Sequence, residues 1–72
     1  MITQVELARE GGNRICWLQH SPYDGEILKV GYRVTLVDSD GWVVKQIFTT
    51  VPDGTILPPN ALGAALLFID EA

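Results

Sequence analysis

Glycine-bearing turns cut residues 1–50 into short runs of strand-forming residues, and that spacing most restricts what the chain can fold into. Met1 to Arg9 sets Ile2, Val5 and Leu7 among Thr3, Gln4 and Glu6 in near alternation, the two-residue period of a half-buried strand. Glu10-Gly11-Gly12-Asn13 follows with residues that reach positive φ cheaply, and Arg14 to Gln19 returns as the second arm of a hairpin. Between that hairpin and the next run, His20-Ser21-Pro22-Tyr23-Asp24-Gly25-Glu26 carries turn-forming residues and reads as a surface loop. Ile27 to Gly31 leads into a third run, Tyr32 to Val37, which turns at Asp38-Ser39-Asp40-Gly41 into the longest run, Trp42 to Thr49. Four strands with mostly short connections predict a meander. Curling it into a small antiparallel barrel is the economical way to protect its edges, so the expected class is mainly β. The expected core is Val5, Leu7, Ile15, Trp17, Val34, Leu36, Val44 and Ile47.

Residues 51–72 differ from the barrel core expected over residues 1–50. Val51-Pro52-Asp53-Gly54 is a turn, Ile56 and Leu57 await a pairing partner or a hydrophobic groove, and Pro58-Pro59 blocks regular structure. Asn60 can cap a short helix in which Leu62, Ala65, Leu66 and Ile69 share one face. Gly63 weakens that helix by about 1 kcal/mol relative to alanine, and Asp70 and Glu71 lie at the unfavourable end of its dipole. A fifth strand over Ala64 to Ile69 is the alternative. Either way the tail packs on the barrel or docks a partner, within a chain about half the usual size of one domain.

Nine acidic against five basic residues give a net charge of −4, and Arg9, Arg14, Lys29, Arg33 and Lys45 are scattered singly. Duplex binding needs clustered cations to neutralise phosphates, so direct nucleic-acid binding is disfavoured. Apolar residues make up 47% of the chain and charged ones 19%, enough apolar area to exclude an acidic disordered segment. Cys16 is the only cysteine, which excludes an internal disulfide and an all-cysteine zinc site and points to a reducing cytoplasm. The first residues show no basic run leading into an apolar stretch, so no signal peptide is expected. The longest apolar tract, Ala61 to Ile69, is too short to span a bilayer, and no membrane partner is expected.

The chemical inventory is thin. His20 is the only histidine, so a nucleophilic pair could only join it to Cys16. Four residues of extended strand separate two groups by roughly 13 Å; a buried structural cysteine beside a solvated loop histidine is the simpler expectation. Asp38-x-Asp40-Gly41 opens like a calcium loop, which needs glycine sixth and glutamate twelfth; here glycine comes fourth and Thr49 twelfth, so it is a turn. The expectation is therefore no enzyme, no cofactor and no metal, with Trp17 and Trp42 packed in the core. Tyr23, displayed on the loop with His20 and Asp24, and Ile56, Leu57 and Leu62 of the tail, are the expected partner contacts. A sheet that does not close completely leaves an edge that can accept an extended, basic segment.

Cys16-Trp17-Leu18, then Leu28-Lys29-Val30-Gly31-Tyr32-Arg33-Val34-Thr35-Leu36, then Asp40-Gly41-Trp42-Val43-Val44 and Ile47 resemble a strip seen in short bacteriophage proteins. The Val-Gly-x-x-Val step followed by a hairpin into an aromatic strand also resembles SH3-like small barrels. The resemblance covers about residues 14 to 48 and leaves the tail aside. It implies a non-enzymatic, phage-encoded regulator in the host cytoplasm that binds a host protein, most specifically RNA polymerase, to alter transcription. The alternative is a small joining or decorating component of a virion. The shared positions look like scaffold, so no contact residue is implied by the resemblance.

Overall fold

The computed structural model describes residues 1–58 and 63–70. Its elements are β1 (Ile2–Arg9), β2 (Gly12–Gln19), α1 (Pro22–Ile27), β3 (Arg33–Leu36), β4 (Trp42–Val51) and β5 (Gly63–Asp70). The five strands form a closed barrel in the order β1-β2-β5-β3-β4, so the protein is mainly β, as expected. The order differs from a consecutive meander. β5 enters between β2 and β3, parallel to β2 and antiparallel to β3, and closes the wall that β2 and β3 leave open.

The β1–β2 hairpin sets which side chains face inward. Arg9 pairs with Gly12 across a two-residue turn, and Gly11 takes φ +96°, where a side chain would be strained. That register places Val5 opposite Cys16 and Thr3 opposite Leu18, and directly opposed residues share a face. The buried core is accordingly Val5, Leu7, Cys16, Leu18, Leu28, Val34, Leu36, Trp42 and Val44, with Ile47, Leu66 and Ile69 packed against it. Ile15 and Trp17 are not in it, contrary to expectation. Ile15 is 61% exposed and Trp17 half-buried on the outer face, opposite Glu6 and Gln4. They would turn inward only if the hairpin slipped by one residue.

The expected C-terminal helix gives way to the alternative, a fifth strand. Residues Gly63–Asp70 are extended, and Leu66 and Ile69 reach the core from two sides of a register shift at Leu67. The expected cap Asn60 and the expected contact Leu62 lie outside the described residues. β4 carries two such shifts against β1, leaving Lys45 and Phe48 as extra residues, and each adds to the coiling of this long strand.

The expected loop 20–26 is in large part a helix. Ser21 caps it, accepting a bond from the Asp24 N–H at 3.1 Å, and Pro22 occupies the first turn, where its missing N–H costs nothing. Leu28 N–H donates to the Asp24 carbonyl at 2.9 Å and ends it. Six residues are too few for a stable isolated helix, and the anchors are tertiary: Leu28 in the core after it and His20 buried before it.

Candidate functional site

Of the residues expected to meet a partner, His20, Tyr23 and Asp24 follow β2 and Ile56 and Leu57 follow β4, and these two segments start at the end of the barrel where β1 begins. His20 organises that end from inside. The solvated histidine of the sequence reading is instead buried, and this takes it out of any contact surface. Its Nδ1 lies 2.7 Å from the Ser21 carbonyl, which can only accept, so in the neutral ring Nδ1 carries the proton. Nε2 then accepts from the Thr3 hydroxyl at 2.6 Å, and Thr3 Oγ1 accepts in turn from Thr50 Oγ1 at 2.9 Å. This chain of bonds ties the end of β2 through β1 to the end of β4.

Main-chain contacts tighten the same junction. His20 N–H donates to the Met1 carbonyl at 2.9 Å. The Met1 ammonium donates back to the His20 carbonyl and to Asp53 Oδ1, both at 2.8 Å. The segment entering α1 and the turn after β4 are thus pinned side by side, although 32 residues of sequence lie between His20 and Asp53.

From this junction the two segments display apolar side chains. Tyr23 is 71% exposed on α1, and Ile27, one turn later on the same helix face, is also exposed. Ile56, three residues past Asp53, is 96% exposed, and Leu57 is half-buried. Asp24 is half-buried with its backbone engaged in both helix caps, Glu26 is exposed, and Asp53, also exposed, is paired with the Met1 ammonium. The sequence reading missed the helix that aligns Tyr23 with Ile27; its signal was the Ser21-Pro22 pair, an N-cap followed by a first-turn proline.

The opposite end of β4 is held by a second cluster. Arg14 Nη1 donates to Asp38 Oδ1 and Nη2 approaches Oδ2, each at 3.1 Å. Ser39 Oγ donates to Asp38 Oδ1 at 2.9 Å while accepting from the Trp42 indole N–H at 2.7 Å. Arg9 covers the Trp42 ring, its guanidinium 4.1 Å from the centroid. The hydrogen bonds from Arg14, then from Ser39, hold the Asp38 carboxyl below the ordinary carboxylate range, and the same pairing raises Arg14. A carboxyl depressed in the folded state stabilises the fold above its ordinary value of 3.8 and loses that contribution as pH falls through the lower folded value. The stability gap between the parent and Asp38→Asn should therefore shrink on acidification from about pH 6 to about pH 2, modestly because the pair is exposed. Urea midpoints across that range check this, and a constant gap refutes it.

Cys16 and His20 do not meet. Cys16 is buried in the core, where burial pushes its thiol up, and both His20 ring nitrogens are taken by Thr3 and Ser21. A surface cleft of about 200 Å³ lies between β3, the 40–41 turn and the end of β5, lined by Arg33, Val34, Thr35, Asp40, Gly41 and Asp70. It brings together one guanidinium and two carboxylates, away from the thiol and the imidazole. No helix among the described residues is long and apolar enough to cross a membrane. No protein-family model matches the chain, and comparison with curated proteins and with solved structures finds no match.

Proposed function

We propose that this protein is a non-enzymatic protein-binding module that holds a partner on the end of the barrel built by α1 and the turn after β4. The observation that carries the reading is the exposure of Tyr23, Ile27 and Ile56 on two segments whose starts, at His20 and Asp53, are pinned together through Met1. Single exposed apolar residues are ordinary, but several at one junction supply the apolar contact a partner buries. The exposed Glu26 and the net charge of −4 suit a basic partner surface. The resemblance to small phage proteins makes a host protein the partner of choice, with RNA polymerase the first to test and altered transcription the consequence.

Titration of purified bacterial RNA polymerase with the labelled protein tests this directly. A stoichiometric complex is expected, and Tyr23→Ala should weaken it at least about tenfold, as truncating a buried aromatic anchor does. Binding that Tyr23→Ala and Ile56→Ala both leave unchanged removes this surface from the function. Absence of any complex, with assembly onto virion parts instead, favours the joining or decorating role.

A further inference from the structure

β4 outruns its neighbour. β3 pairs only with its first residues, Arg33 with Val43 and Val34 with Trp42, and the last bonds on that side join Val44 to Gly31 and Tyr32 at 2.8 and 2.9 Å. From Lys45 to Val51, β4 is paired with β1 alone among the described residues. None of these residues is buried: Phe48 is 44% exposed, Gln46, Thr49 and Thr50 are exposed, and Ile47 and Val51 are half-buried. Residues along such an edge leave alternate N–H and C=O groups without a strand partner.

Natural edges are commonly blunted by charge, proline or bulges; residues 46–51 carry neither charge nor proline, and the bulges at Lys45 and Phe48 coil this edge while no described strand covers it. Gln46-Ile47-Phe48-Thr49-Thr50-Val51 contains no charge, no proline and no glycine, and it is rich in β-branched and aromatic residues. Its boundaries are sharp. Lys45 precedes it with Nζ 3.9 Å from Glu6, and Pro52, which has no N–H, ends any ladder on the other side.

We propose that this edge is the seam of a homodimer, in which β4 of two copies pair antiparallel about a two-fold axis. Three properties select a second copy. Antiparallel self-pairing sets Gln46 opposite Val51, Ile47 opposite Thr50 and Phe48 opposite Thr49 of the other copy, all uncharged, with Phe48–Thr49 of the aromatic–β-branched kind that stabilises sheets. Two chains that each carry −4 repel over most of their surface, and this strip lets them meet with no like charges opposed. The bulges at Lys45 and Phe48 coil the strand strongly, and a two-fold copy carries the same coil, whereas a flat strand does not follow it. The seam shares no residue with Tyr23, Ile27 or Ile56 and stands without the partner-binding reading.

Sedimentation velocity over a concentration series, combined with amide exchange, tests the seam. The parent should dimerise with slowed exchange at residues 46–51. Thr49→Lys, which brings two lysines together near the axis, should weaken association at least about tenfold. Thr49 is exposed, so the variant should melt like the parent when dilute. Phe48→Lys should behave likewise, and Tyr23→Ala should dimerise as the parent does, which separates this seam from the barrel-end surface. A monomer up to about 1 mM, a dimer indifferent to both lysine variants, or protection of residues 46–51 that appears only on adding RNA polymerase each overturns the proposal.

Discussion

Leu18→Ala should destabilise the protein by about 2 to 5 kcal/mol, while Ile15→Ala, three residues earlier on the same strand, should change stability by no more than about 0.5 kcal/mol. Leu18 is fully buried opposite Thr3 and belongs to the core cluster, so its truncation removes apolar contact and leaves a cavity in a barrel with few other residues to fill it. Ile15 faces solvent on the outside of the sheet, and shortening it removes little. Small domains fold with a margin of about 5 to 15 kcal/mol, so the first variant loses a large share of the total and the second almost none. Urea denaturation of the two variants beside the parent reads this directly. Equal losses, or a larger loss at Ile15, would mean that the β1–β2 hairpin is one residue out of register.

The same pair shows where the sequence is legible and where it is not. Alternation and the Gly11-Gly12 pair are enough to place β1, β2, β3 and β4 within a residue or two, because strand period and turn chemistry are local. Which face of β2 points inward is not local. Ile15 and Trp17 are at least as apolar as Cys16 and Leu18, so the choice falls to the hairpin register, which depends on the two-residue turn between Arg9 and Gly12. The tail is a coincidence of periods: Leu66 and Ile69 fit a helical stripe, yet a one-residue shift at Leu67 lets both reach the core from a strand. Only the gap between β2 and β3 decides in favour of the strand, and that gap exists only once the barrel is closed. Tyr23 and Ile56 could be picked out as displayed residues. The pinning of their two segments could not, because it rests on contacts of Met1 with His20 and Asp53 across most of the chain.

His20 is the residue whose environment was least visible in the sequence, and it carries the second large effect. Thr3→Val should cost about 1 to 3 kcal/mol, the penalty for leaving a buried acceptor without its donor. Valine keeps nearly the same shape but removes the hydroxyl that donates to Nε2 and accepts from Thr50, while Nδ1 remains committed to the Ser21 carbonyl. The imidazole cannot turn to find another partner without giving up that bond. Thr50→Val should be milder, because Thr50 is exposed and its loss still leaves Thr3 donating to the ring. Nitrogen chemical shifts of the parent should report the Nδ1–H tautomer, the form the Ser21 carbonyl requires. If Thr3→Val unfolds at the parental urea midpoint, or the ring carries its proton on Nε2, the bonds around His20 do not hold the barrel end together and the pinning of α1 rests on Met1 and Leu28.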